Sequence, residues 1–277
     1  MTLGERRDCD MKYHLKQFAT RYFSHIENTT LREQAAEQRL VQLFFEEVRE
    51  GYFVEVGASD PVQYSQTWHL EQRGWRGVLI EPIAELCESL RRNRPRSIIV
   101  QAACGAPEQR GQVEFYVAEG FRRSTLKRSD LSADVSFVRT DIVKLRTLDD
   151  ILEEIDPPNI HLVSIDVEGL EPEVLRGFSL QKYRPRLLLV EDHLYGLRTH
   201  RKTQLYLMQR NYRLVKRTTL NNWYVPRELP FELTGPWERF LLWRKIWLGT
   251  PFRKLRISWR KWKKRRKCLC ARQAIEG

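Results

Sequence analysis

Acidic residues recur in this sequence directly after short apolar runs. Glu55 and Gly57 close the run at Tyr52–Val56, and Glu81 closes Val78–Ile80. Asp166 and Glu168 follow Leu162–Ile165, and Glu191 with His193 follows Leu187–Val190. If these runs are parallel strands, their carboxyl ends share one rim, and open α/β sheets bind ligands just beyond that rim. Carboxylates gathered there could accept hydrogen bonds from ligand hydroxyls or take a proton as a general base. Together with His193 they could also hold a hard divalent ion, but no ligand spacing forces a metal site and none is assigned. Acids on a merely solvated sheet edge would produce the same pattern.

The segment after the first run narrows the choice. Gly57 permits a tight turn and close approach of a ligand to the backbone. The phosphate-cradling G-x-G-x-x-G is absent, whereas Glu81 stands 24 positions after Gly57. That is close to the ~20-residue offset at which an acid meets ribose hydroxyls in nucleotide folds. A glycine turn without phosphate logic, followed by a ribose-binding acid, suits a nucleoside ligand lacking pyrophosphate. S-adenosylmethionine is the common ligand of that kind. A reaction that removes a hydroxyl proton needs a general base, and His193, Asp166 and Glu191 are the candidates; an imidazole titrates near neutral pH without perturbation. Tyr64, Ser65 and Thr67 follow the glycine turn and could line an acceptor pocket, with helix capping by Ser65 the other reading. His69 reads as a surface residue.

The elements that would position these groups alternate. Apolar runs at 52–56, 78–80, 98–100, 162–165 and 187–190 are separated by helical patterns at 66–73, 83–93, 148–154, 171–176 and 203–210. Near-continuous apolar strands between helices indicate a parallel sheet covered on both faces. Runs at 113–117 and 135–143 read as strands of an insertion, and 212–217 with 223–225 as a closing antiparallel hairpin. Upstream, 12–26 and 30–49 read as helices capped at Asn28 and Thr29, the second with Leu40, Leu43 and Phe44 facing the core.

The net charge of +12 is not spread over the 277 residues. Residues 237–277 hold 14 Lys/Arg and 2 Asp/Glu, so the remainder, with 34 of each sign, is neutral. Five of the eight tryptophans lie in the same stretch. Thr250 and Pro251 would start a helix there. Phe252, Leu255, Trp259 and Trp262 would share one face, amid ten Lys/Arg between Arg253 and Lys267. This is the pattern of a basic amphipathic segment at an anionic membrane surface. No run approaches the ~18 apolar residues of a spanning helix. The charged first ten residues carry no secretory h-region. Five irregularly spaced cysteines give no disulfide framework. The expected location is cytoplasmic, at the inner face of a membrane.

The motifs FVEVGA at 53–58, LEQRGWRGVLIEP at 70–82, QAAC at 101–104 and VSIDVEGLEPEVLRG at 163–177, with LLVE at 188–191 and NNWYVP at 221–226, resemble the FkbM family of S-adenosylmethionine-dependent methyltransferases. Family members often carry Gly-Ala-Asn-x-Gly where Ser59-Asp60-Pro61 follows here. The resemblance implies an α/β class I (Rossmann-like) methyltransferase fold, a seven-stranded, mostly parallel sheet whose last strand is antiparallel. Around it stand N-terminal helices over 1–50, a methyltransferase domain over 51–236 and a basic helical tail over 237–277. By the same resemblance, Glu55, Gly57 and Ala58 line the methionine end of the cofactor, Glu81 binds the ribose, and Ala102 and Ala103 lie near adenine. Asp166 and Glu168 face methyl transfer. The implied reaction is O-methylation of a sugar hydroxyl on a glycan or lipid-linked precursor. A non-catalytic methyltransferase-like module tethered by the tail and a nucleic-acid methyltransferase are the alternatives, the last resting on tail charge alone.

Overall fold

The structure is a computed structural model that describes residues 31–121, 123–126, 135–191, 197–218, 221–237 and 239–240. The helix expected over 12–26, the caps at Asn28 and Thr29, His193 and the tail helix from Thr250 lie outside the described residues.

Strands β1 (Tyr52–Val56), β2 (Arg76–Glu81), β3 (Ser97–Gln101), β7 (Leu162–Ile165) and β8 (Leu187–Glu191) are parallel neighbours in one sheet. Helices α3 (Ala84–Asn93), α4 (Leu148–Ile155) and α5 (Glu171–Arg176) lie in the connections, with the single turns α2 (Trp68–Glu71) and α6 (Leu180–Tyr183). Every residue of β1 and β7 is buried, which is why both read as near-continuous apolar runs, interrupted only by Glu55 and Ser164. Helix α7 (Leu197–Met208) leads to β9 (Tyr212–Arg217), and β10 (Asn221–Pro226) returns between β8 and β9, antiparallel to both. The seven-stranded order is β3-β2-β1-β7-β8-β10-β9. The expected sheet, with its antiparallel last strand, is therefore present. The order reverses between β1 and β7, and such a switch point opens a crevice at the carboxyl ends of the strands.

The insertion forms a second sheet, β4-β6-β5, from Ala103–Cys104, Phe137–Arg146 and Gly111–Ala118. Its antiparallel β5–β6 pair matches the two expected strands, while β4 was not foreseen because two residues carry no period. Ala103, Phe115, Val117, Val143 and Leu145 pack with Ile83 in a core of their own.

Helix α1 occupies residues 31–44. Of the residues expected to face the core, Leu40 and Phe44 are half-buried and Leu43 is 47% exposed, while Gln34, Glu37, Val41 and Phe45 are buried. Polar bonding turns the helix this way. The Glu37 carboxylate accepts from the Thr218 hydroxyl at 2.5 Å, Asn221 Nδ2 at 2.8 Å and Trp223 Nε1 at 2.8 Å. Gln34 and Gln38 both donate to the Ser65 carbonyl, at 3.1 and 2.9 Å. The described residues 31–50 fall in the compact unit that runs to Pro230. In the second unit, from Phe231 onward, the Arg239 guanidinium donates to the carbonyls of Thr234 and Phe231.

Candidate active site

The β1 and β7 tips meet tightly. Asp166 N donates to Val56 O at 3.0 Å. Gly57, at φ +82°, would place any Cβ 1.8 Å from the Asp166 carbonyl oxygen. Only glycine turns here, and the turn opens onto a cavity of about 210 Å³. Gly57 N and Ala58 N both donate to Ile80 O, at 2.9 and 3.1 Å. Their amides are committed to β2, so this turn contributes shape to the cavity rather than free donors.

The nine described residues expected to bind cofactor or act as base all line this one cavity: Glu55, Gly57, Ala58 and Glu81, then Ala102, Ala103, Asp166, Glu168 and Glu191. Glu81 is 4% exposed. Its two oxygens accept from Ser59 N and Ile83 N, each at 3.0 Å. Burial outweighs these bonds and pushes the carboxyl up to about 7.

Glu55 holds a different position from the one expected of a direct ligand. Its carboxylate accepts from Gln66 N at 2.7 Å, the Ser65 hydroxyl at 3.1 Å and the Thr67 hydroxyl at 2.5 Å. Burial raises its pKa, opposed chiefly by the Arg94 charge. The Arg94 side chain is fully buried and pairs with Glu71 at 2.6 Å. It also donates to the Ser65 and Thr67 hydroxyls at 3.0 and 2.9 Å. Glu55 and Arg94 therefore clamp the 65–67 turn from two sides. Of the three residues expected to line an acceptor pocket, Tyr64 borders the cavity, while Ser65 and Thr67 do not. The Ser65 hydroxyl accepts from Thr67 N and Trp68 N at the start of α2, while Tyr64 lines the cavity.

At the β7 end, Glu171 accepts from Gly169 N at 2.9 Å and Val167 N at 3.4 Å, which folds the Asp-Val-Glu-Gly turn back on its own helix. Glu168 takes φ +55° there. Seven described non-glycine residues have positive φ, and four of them, Ser59, Tyr64, Phe121 and Glu168, line the cavity. Each such conformation costs on the order of 1–3 kcal/mol and persists where the surroundings over-determine it, commonly at ligand sites.

Three contributors went unrecognised in the sequence. Phe115, Phe121 and Leu126 bring an apolar wall from the insertion, Gln34 arrives from α1, and Asn221 arrives from β10, where it pairs with Glu191. The insertion residues and Gln34 carry no local motif, and Asn221 opens the NNWYVP motif without having been assigned to the site. His69 is also corrected. Both ring nitrogens are buried without a hydrogen-bond partner, and burial lowers its pKa to about 3. Among the described residues, no group of three or more His, Cys, Asp or Glu could hold a metal ion.

The model of the methyltransferase FkbM domain matches residues 55–214. No curated protein matches the chain. Among solved structures, a precorrin-6y C5,15-methyltransferase from Geobacter metallireducens GS-15 is similar at 12% identity, over 68% of this chain and 84% of that one, with a TM-score of 0.34. The N-terminal domain of human METTL16 in complex with SAH gives 12% identity, 68% and 66% coverage and a TM-score of 0.37. TrmK of M. capricolum, in complex with S-adenosyl-homocysteine, gives 8%, 68%, 67% and 0.32.

Proposed function

Because this chain belongs to the FkbM methyltransferase family, we propose that it transfers a methyl group from S-adenosylmethionine to a hydroxyl of a neutral, sugar-like acceptor. The observation that carries the acceptor class is the charge of the cavity wall. Glu55, Glu81, Asp166, Glu168 and Glu191 line it, and no Lys, Arg or His does so among the described residues. An acidic wall accommodates a cationic cofactor and a neutral polyol. A nucleic-acid strand needs Lys and Arg for its phosphates, so that alternative is disfavoured.

The residues present fit the cofactor. A buried carboxylate raised by desolvation, as at Glu81, gains most from two hydroxyl donors, and a ribose offers them. The small side chains of Ala102 and Ala103 leave room for a flat base beside Phe115. Gly57 and Ala58 would border the methionine end, where Gly57 has no room for a side chain and Ala58 offers only a methyl group. Bound there, S-adenosylmethionine would supply a sulfonium methyl with its own positive charge and leaving group.

The protein's share of the reaction is then alignment and one proton. Asp166 and Glu168 face the acceptor hydroxyl from the β7 turn and hold it in line with the methyl group. The hydroxyl proton passes to Asp166 or Glu191, or to His193 just beyond the described part of β8. The apolar wall of Phe115, Phe121 and Leu126 excludes water that would compete as acceptor.

The location belongs to the same proposal and rests on the sequence. The net charge of the chain resides in residues 237–277, and the aligned tryptophans supply apolar anchors, a combination suited to an anionic membrane surface. No helix of the described residues is long and apolar enough to cross a membrane.

The test is calorimetric titration with S-adenosylmethionine and S-adenosylhomocysteine, then transfer of tritiated methyl to a panel of neutral methyl glycosides. Absence of cofactor binding would overturn the family-derived activity. Binding without transfer to any hydroxyl acceptor would favour the non-catalytic module.

A further inference from the structure

The cavity has a second polar wall that the cofactor residues do not use. Gln66 is 7% exposed, lines the cavity, and keeps its Oε1 buried with no hydrogen-bond partner. Its backbone is fixed at this position, because Gln66 N is held on Glu55 at 2.7 Å. A buried carbonyl oxygen without a donor is costly. A ligand that brings the donor removes that cost.

The sheet order separates this wall from the nucleoside side. Glu81, Ala102 and Ala103 come from β2 and the chain after β3, on one flank of β1. Glu191 and Asn221 come from β8 and β10 on the other. Helix α1 ties the Gln66 turn to this second flank. Gln34 lines the cavity while its Nε2 is bonded to Ser65 O, and Glu37, one turn later, holds Asn221 Nδ2 at 2.8 Å. Neither α1 nor β10 falls within the family match over 55–214. The matched span therefore covers the cofactor half, and α1 and β10, which lie outside that span, complete the other.

Resting on the methyl-transfer reading above, we propose that Gln66, with Gln34 and Asn221 positioned by α1, forms the acceptor subsite, and that Gln66 Oε1 accepts a hydrogen bond from a hydroxyl of a neutral polyhydroxylated acceptor. Gln66 is thereby the specificity-determining residue. Amides flanked by carboxylates match the alternating donors and acceptors of a polyol. A phosphorylated or carboxylated sugar would set its charge against Glu168 and Glu191.

The probes are neutral methyl glycosides and the corresponding sugar phosphates, added to full-length protein saturated with S-adenosylhomocysteine and followed by saturation-transfer NMR. Wild type is expected to transfer to at least one neutral glycoside and to no sugar phosphate. Gln66→Leu is expected to weaken that glycoside by tenfold or more. Affinity for S-adenosylhomocysteine should stay within twofold and the urea midpoint should not fall, because the lost oxygen made no internal bond. Gln66→Met, which keeps the chain length, repeats the measurement should the leucine variant fold poorly. Unchanged glycoside affinity in either folded variant overturns the assignment. So does a lowered urea midpoint in both, which would make Gln66 structural, or preference for the sugar phosphates. Failure of wild type to bind S-adenosylhomocysteine sinks the methyl-transfer reading itself, while cofactor binding with no transfer to any glycoside sinks only the subsite.

Discussion

Raising the pH from 6 to 8 should tighten cofactor binding about tenfold, through Glu81. Its carboxyl is pushed up to about 7 by burial. About a tenth of the molecules then carry the carboxylate at pH 6 and about nine-tenths at pH 8. If the ribose hydroxyls require the ionised acceptor, apparent affinity scales with that fraction. Glu81→Gln should be flat with pH and weaker at pH 8. It should also cost about 1–3 kcal/mol of stability, because Ser59 N and Ile83 N each donate to a different Glu81 oxygen and an amide can accept only one of them. Linkage gives a second readout. A folded pKa above the unfolded value of 4.5 means a stability contribution fully present below pH 4.5 and lost as pH rises through about 7, roughly 3 kcal/mol in total. Wild type should therefore lose stability relative to Glu81→Gln between pH 5 and pH 8. Titration calorimetry with S-adenosylhomocysteine and urea unfolding at both pH values measure the two effects. A pH-independent wild-type affinity, or the same pH dependence in the glutamine variant, would refute the reasoning.

Four further outcomes are expected. Gly57→Ala should lower stability by about 2–5 kcal/mol in urea unfolding, because its Cβ meets a backbone oxygen at 1.8 Å and φ is +82°; an unchanged midpoint would contradict the turn. Glu37→Ala should cost about 2–4 kcal/mol, since the buried donors of Asn221 and Trp223 lose their acceptor, while the half-buried Thr218 hydroxyl keeps Asn221 O; a loss below 1 kcal/mol would show that α1 does not hold β10. His69, neutral in the fold at a pKa of about 3 and ordinarily near 6.5, contributes stability above pH 6.5 that is lost as pH falls toward 3; His69→Phe should flatten the acid limb of thermal unfolding between those values, and an unaltered limb would place the ring in water. Truncation before Thr250 should abolish co-sedimentation with anionic vesicles and leave cofactor affinity intact, whereas equal sedimentation of both forms would exclude the tail as anchor.

Much of the fold was legible because it rests on local periods. The buried parallel strands are continuous apolar runs between helical patterns, so β1, β2, β3, β7 and β8 could be placed from one dimension. The rim of Glu55, Glu81, Asp166, Glu168 and Glu191 followed, since a residue that ends a parallel strand must sit on the ligand edge whatever its neighbours do. The charge of the tail is likewise a property of the chain alone.

Tertiary structure decided which of those acids is free to act and what closes the cavity around them. Glu55 and Glu81 both end strands and both are raised by burial, yet Glu55 spends its oxygens clamping the 65–67 turn beside Arg94, while Glu81 has only two backbone N–H groups and no cation to oppose desolvation, which lifts it to about 7. The face of α1 was misjudged for a related reason. Apolar spacing favoured Leu43, but three donors from the 218–223 segment, more than 180 positions away, turned Glu37 inward. Hydrophobic burial acts through near-sequence periodicity and can be read from it. Desolvation and hydrogen-bond satisfaction depend on partners brought in from distant segments, so the unmet oxygen of Gln66 and the shift of Glu81 exist only once the chain has folded.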